Sequence, residues 1–386
     1  MESLTAVVLA AGRGTRMKSQ WPKVLHKVCG VPMAEQVIRT VKKAGSEKCV
    51  VVTGFKEELV RESLAGENIY FVHQEEQLGT AHAVMQAVPL FKDNRDGYVL
   101  VVCGDTPLLR RETIEGLVRA CRDHDGAAAV LTAIMDNPFG YGRVLRDAKG
   151  HMISIVEQKD GTPDQLAVHE INTGTYVFKT GALLDSLEKV DNKNAQGEYY
   201  LTDVFEILIK AGRKVIPVAA EDASETMGVN SRIQLAEADR ILRIRKAEDL
   251  MAAGVTITDP YSTYIEQDVE VGQDTVILPG TMLQGKTKVG KNCTLGPDTQ
   301  LTDVICGDGN HLNRVYAHSC ELGDNNEIGP FVHLRPETCL HNDIKIGNFV
   351  EVKNSDVDDG TKLPHLIYCG DSDLGKNVNF GCGTVT

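Results

Sequence analysis

The residues best suited to chemistry gather first between Leu9 and Lys23, in the string LAAGRGTRMKSQWPK. Gly12 and Gly14, beside the small Ala10 and Ala11, let the backbone turn tightly and approach a ligand closely. Successive N–H groups in such a turn form an anion-binding concavity. Arg16 and Lys23 add two cations next to it. Group transfer from a triphosphate needs this combination of backbone donors and positive charge at the phosphorus under attack. The string is not a P-loop, because no Gly-Lys-Ser/Thr follows. Met17 stands where the dinucleotide fingerprint needs its third glycine. A second group is Cys103-Gly104-Asp105, at the end of the apolar run Tyr98 to Val102. A carboxylate there suits Mg²⁺, which takes one or two protein oxygens plus substrate phosphates. An isolated Gly-Asp more often caps a turn; the nearby glycine loop favours the metal.

These groups need elements to hold them. Leu4 to Leu9 is apolar and too short for a helix, so it reads as a buried strand. Val50 to Thr53 and Tyr98 to Val102 are similar runs, with helical patterns over Ala34 to Ala44 and Ala81 to Val88. The alternation predicts an α/β doubly wound, Rossmann-like domain over residues 1–229. Ligands sit at the carboxyl ends of the strands in such sheets, where the loop at 10–16 and the turn at 103–105 both fall. Residues 230–251 mix Ile and Leu with charges and lack Gly and Pro, predicting one linker helix.

From residue 252 to 386 the period becomes six. Ile265, Val271, Ile277, Leu283, Val289, Leu295 and Leu301 keep it, and Leu322, Ile328, Leu334, Leu340, Ile346 and Val352 resume it. Leu374 and Phe380 are read as holding the same phase. A helix repeats near 3.6 and a strand at 2, so six suits a coil with three flat faces. The stretch 302–321 is poor in the pattern and predicts a loop or distorted coil.

The chain has 386 residues and a net charge of −13, which disfavours nucleic acid or an anionic membrane as partner. None of its ten cysteines forms a Cys-x-x-Cys pair, so reduced thiols and a cytoplasmic location are expected. No basic-flanked signal segment and no stretch of membrane-span length is evident.

The string L-A-A-G-x-G-T-R-M with Pro22-Lys23 resembles the signature loop of sugar-1-phosphate nucleotidyltransferases. It is followed in order by Gln74, QLGT at 77–80, GDTPL at 104–108, GYGR at 140–143, Glu157, NTG at 172–174, NAQGEYY at 194–200 and GVN at 228–230. That order is similar to the bifunctional bacterial N-acetylglucosamine-1-phosphate uridylyltransferase/glucosamine-1-phosphate N-acetyltransferase family, and the hexad region resembles the left-handed parallel β-helix of hexapeptide-repeat acyltransferases. The resemblance implies Mg²⁺-dependent formation of UDP-N-acetylglucosamine from UTP and N-acetylglucosamine-1-phosphate, a step toward peptidoglycan. It implies that Leu9, Ala10, Ala11, Gly12, Gln74, Gly79, Thr80, Cys103 and Gly104 hold the nucleotide. Gly140, Glu157 and Asn172 would hold the sugar, and Asp105 and Asn230 the metal. Arg16 and Lys23 would stabilise charge during in-line attack. Cys103 departs from the family's usual aromatic residue, and Trp21 is bulkier than expected.

For the repeat region the resemblance implies transfer from acetyl-CoA to glucosamine-1-phosphate within a homotrimer. Acylating an amine needs a base, and His serves near neutral pH. Among His311, His318, His333, His341 and His365, only His365 lies in a string (KLPHLIYCGD) that resembles the family's catalytic one. Arg335, Lys353, Tyr368 and Asn379 match sugar-phosphate positions, and Cys382 a coenzyme position. Arg335 and Lys353 are eighteen residues apart, so they should stack and pinch a phosphate. The family continues past the position of Thr386, so impaired acetyl transfer is expected unless a longer product exists. The alternatives are a nucleotidyltransferase of other sugar or base specificity, and a non-catalytic assembly protein, with the β-helix as a trimerisation stalk.

Overall fold

The structure, a computed structural model, describes residues 3–386. It comprises two compact units, one up to Ala238 and one from Asp239 onward.

The first unit is built on strands β1 (Leu4–Leu9), β2 (Lys48–Thr53), β3 (Tyr70–His73), β4 (Tyr98–Cys103), β5 (Ala128–Ile134), β6 (Arg143–Arg146), β7 (Met152–Val156), β8 (Glu170–Lys179) and β9 (Val215–Ala219). Their order across the sheet is β9-β5-β8-β4-β1-β2-β3, with β6 and β7 attached beside β8. β1 runs parallel to both neighbours, with Leu9 opposite Val52 and Cys103. β8 is antiparallel to β4 and β5. β1 is apolar apart from Thr5 because both faces are covered: Val7 enters one core, Ala6 and Val8 the other.

Helix α1 (Met33–Lys43) buries Ala34, Val37, Ile38 and Val41, the stripe expected at i, i+3, i+4 and i+7. Lys42 and Lys43 in its last turn complement the helix dipole. Helices α2 (Thr80–Ala87), α3 (Arg111–Asp123) and α4 (Asp203–Lys210) complete the layers the site uses. The sheet order reverses direction around β1, which puts a crevice at the carboxyl ends of β1 and β4.

Helix α5 (Arg232–Ala252) carries Ala247 and Leu250 into the core of the second unit. Short parallel strands then wind into three faces, consistent with a left-handed β-helix. Ile277, Leu283, Leu295, Leu301, Leu334 and Val352 are fully buried along its axis. Corners are sealed by buried polar groups: Thr281 Oγ1 donates to Leu278 O at 2.7 Å, and Asn310 Nδ2 to Gly323 O at 2.8 Å on the next coil. Each bond satisfies a carbonyl that would otherwise be buried unpaired.

Two expectations need correction. The stretch 302–321 does not loop out; of the two alternatives it is the coil altered by shortening. Strands Ile305–Cys306, His311–Leu312 and Val315–His318 continue the coil, with Cys306, Leu312 and Ala317 buried in line. The registers Val289↔Cys306 and Leu301↔Ala317 show coils shortened by one or two residues. Leu374 and Phe380 are not in a strict phase of six either. The inward positions run Val352, Val357, Leu363, Cys369, Leu374, so two steps are five residues long. A corner can lose a residue while the strands above and below stay paired, and a fixed period loses count there.

Candidate active site

The glycine loop is clamped from three sides. Ala10 N donates to Val52 O at 2.9 Å, and Gly104 N to Leu9 O at 2.9 Å. Gln77 Nε2 donates to Ala11 O at 3.0 Å, and Phe55 N reaches the same oxygen at 3.2 Å. Gly12 has open space where a side chain would stand. Gly14 is left-handed (φ +64), and a Cβ there would lie 2.5 Å from Lys23 Cβ, so only glycine lets the lysine stem pack under the loop.

Lys23, Asp105 and Asn230 converge although they come from distant parts of the chain. Lys23 Nζ pairs with Asp105 Oδ2 and donates to Asn230 Oδ1 at 2.9 Å. Val229 N donates to Asp105 O at 2.8 Å, which ties the 228–230 turn to the end of β4. The Lys23 and Asp105 side chains are largely buried, at 14% and 15% exposed, so their attraction is poorly screened. One carboxylate and one amide oxygen within reach of a single ammonium form a hard-oxygen pair that fits a Mg²⁺ ion completing its shell with water and phosphate.

Around this centre lies a cleft of about 350 Å³ lined by Leu9 to Gly12, Gln74, Gly79, Thr80 and Cys103. Gln74 is buried; its Nε2 donates to Gly79 O at 3.1 Å. Its amide oxygen is the acceptor that an N–H of a base needs. Gly79 has φ +113, and a Cβ there would strike Tyr199 O at 2.5 Å. The segment around Tyr199 pins the QLGT turn: Tyr199 N donates to Leu78 O at 2.8 Å, and Ala81 N to Tyr199 O at 2.9 Å. Thr80 Oγ1 accepts from Leu201 N at 3.0 Å. Burial, and then the Asp105 charge, push the Cys103 thiol up to about 12, so it stays neutral in the cleft.

Glu157 and Asn172 flank the same region. Asn172 Nδ2 donates to Tyr176 Oη at 2.8 Å, and its Oδ1 accepts from Gly174 N at 3.2 Å, shaping a bulge in β8. Gly174 in turn carries the carbonyl that faces Cys103 Sγ at 3.8 Å. Thr202 Oγ1 donates to Glu157 at 3.2 Å, but burial pushes the Glu157 carboxyl up. Gly140 lies on an exposed turn, its N–H on Gln158 Oε1 at 2.9 Å. Arg16 is exposed and lies outside the cleft lining.

Sequence reasoning passed over Tyr141 and Glu198. Glu198 lines the cleft. Burial and then the Asp105 carboxylate push the Tyr141 phenol up, against the pull of Gly228 and Arg16. The signal was present, since both lie inside the GYGR and NAQGEYY strings, but neither type is diagnostic alone.

In the second unit, Arg335 and Lys353 follow the paired Leu334 and Val352 on adjacent coils, yet each already has an acid partner. Arg335 pairs with Glu351 and Lys353 with Asp371, at 3.0 and 3.1 Å. Tyr368 lies beside Glu351 on the same face. Asn379 bridges to Lys362 on the preceding face, so the four sugar-phosphate positions do not share one face. His365 is exposed at the corner between those faces, and Cys382 is exposed near the last coil.

A MobA-like NTP transferase domain matches residues 6–168. The chain is 49% identical over 381 residues to the bifunctional protein GlmU of Geobacillus sp. strain WCH70, covering 99% of this chain and 83% of that protein. It is 48% identical over 385 residues to the bifunctional protein GlmU of Listeria welshimeri, covering 100% and 84%. The GlmU protein of Geobacillus thermodenitrificans is 49% identical over 381 residues, covering 99% and 83%. With a nucleotidyltransferase sheet, a coiled second unit and similarity of this order along 99–100% of its residues, the chain belongs to the bifunctional GlmU family.

Proposed function

We propose that the first unit transfers UMP from UTP to N-acetylglucosamine-1-phosphate with Mg²⁺, and that the second N-acetylates glucosamine-1-phosphate from acetyl-CoA. The single observation that carries the first reading is the convergence of Lys23, Asp105 and Asn230 beside the open Gly12 loop.

Gln74 and the Gly79-Thr80 turn read the uracil. The N–H groups of residues 10–12, with Cys103 and Gly104 behind them, seat the ribose and phosphates, and Arg16 folds over the outer phosphates. Mg²⁺ held by Asp105 and Asn230 would neutralise charge on the triphosphate. Lys23 bonds Asp105 and Asn230 in the free protein; with Mg²⁺ on those oxygens its ammonium would be released toward the α-phosphate, where its charge would stabilise the transition state. Gly140, Glu157 and Asn172 orient the sugar so that its phosphate oxygen attacks the α-phosphorus in line and pyrophosphate leaves. Positioning and electrostatics carry such a reaction without a covalent intermediate.

In the second unit His365 takes the proton of the sugar amine as it attacks the thioester carbonyl; the C–S bond breaks and coenzyme A leaves as the protonated thiol. Arg335, Lys353, Tyr368 and Asn379 hold the sugar phosphate, and Cys382 lies toward the coenzyme. The site would be completed by neighbouring chains in a homotrimer, as the resemblance implies. Among the described residues no helix is long and apolar enough to cross a membrane, and the cytoplasmic location stays the one expected from the sequence. Asp105→Ala is expected to lower pyrophosphate release from UTP and N-acetylglucosamine-1-phosphate by about 10²- to 10³-fold. Full retained activity would overturn the metal assignment.

A further inference from the structure

The outer surface of the β-helix carries a cluster that neither reaction uses. Cys339 and Asp356 are direct partners on adjacent coils. His341 stands two residues along from Cys339, and its Nε2 lies 2.9 Å from Asp356 Oδ1. Ligand atoms of Cys339, His341 and Asp356 all lie within 4.8 Å of one another. The Cys339 side chain is half-buried, while His341 and Asp356 open to solvent.

The local charge points to a cation. Glu321 pairs with Cys339 from the coil below, so the sulfur sits between two carboxylates. On the other side of His341, Asp358 and Asp359 already have a cation: Lys376 Nζ lies 3.9 and 2.8 Å from them. Asp359 also accepts from Asn342 N at 3.1 Å. The Cys339 end therefore holds the negative charge that Lys376 does not answer.

We propose that Cys339, His341 and Asp356 form a binding site for a borderline divalent cation of the Zn²⁺ class, clipping two coils of the β-helix together. A thiolate sulfur, an imidazole nitrogen and a carboxylate oxygen are the Zn²⁺ donor types, and Mg²⁺ or Ca²⁺ would not choose the sulfur. Cys339 and His341 come from one coil, His341 just past the strand Cys339–Leu340, and Asp356 from the next coil, so the fold fixes their spacing. The fourth position faces water, with Glu321 next to it. On binding, a metal–sulfur bond forms and the Cys339 thiol proton passes to solvent, so affinity rises with pH.

The test is titration of the metal-stripped 386-residue chain with Co²⁺, followed by absorption, in excess Mg²⁺. One Co²⁺ per chain should produce a thiolate-to-metal charge-transfer band that Zn²⁺ then abolishes. Cys339→Ser, close in size to the native residue, should remove the band. His341→Ala should weaken binding by at least about tenfold, the loss expected even for groups that only support a ligand. Circular dichroism confirms that each variant is folded. Absence of the band in the unaltered chain, or its persistence in Cys339→Ser, would overturn the proposal.

Discussion

In the proposed reaction Lys23 is the residue on which the first unit's chemistry turns. Its stem packs under Gly14 and its ammonium joins Asp105 to Asn230. Removing it deletes positive charge from the phosphate site and leaves the Asp105 carboxylate largely buried without its ion-pair partner. Lys23→Ala is expected to lower kcat/KM for UTP by about 10²- to 10³-fold, read by pyrophosphate release. Asp203, the first residue of α4, shows a different residue-scale effect. Burial first, then Glu206, Asp191 and Asp160, push its carboxyl up to about 6. In the unfolded chain an Asp titrates near about 3.9. The folded state therefore binds the proton more tightly between those values. Stability from this group is complete below about pH 4 and is lost as pH rises through about 6. Asp203→Asn should flatten the fall in unfolding temperature between pH 4 and 6, measured by calorimetry; an unchanged pH profile would refute the assignment.

At the scale of elements, the β-helix is held by one inward apolar residue per face of each coil. Leu334 is fully buried between Ala317 and Val352 of the adjoining coils. Leu334→Ala should cost about 2–5 kcal/mol, read from denaturant unfolding of the second unit's transition, because paired coils cannot collapse into the gap. This architecture was legible because hydrophobic residues recur at six over long blocks. The shortened coils at 302–321 and beyond Val352 were not. Cys306 and Ala317 are weak hydrophobic markers, and a missing corner residue leaves no trace in composition. In the first unit the reverse holds. Strands β1 and β4 were plain from their apolar runs. Tyr141 and Glu198 were not, because a phenol or carboxylate becomes part of a site only through the turns that carry it. The resemblance groups Asn379 with Arg335 and Lys353; coil position, which spacing alone does not give, sets it on a different face from Tyr368.

For the whole molecule, the two units carry separate chemistry on separate cores. His365→Ala should abolish acetylation of glucosamine-1-phosphate by acetyl-CoA while pyrophosphate release by the first unit persists. Parallel assays of one preparation would show it, and loss of both reactions together would contradict the division.

The most direct measurement is a crystal structure with UDP-N-acetylglucosamine and Mg²⁺ bound. The account predicts the uracil against Gln74, the diphosphate across Ala10 to Gly12, and the ion on Asp105 and Asn230. A nucleotide lodged away from that loop, or an ion that touches neither residue, would contradict it.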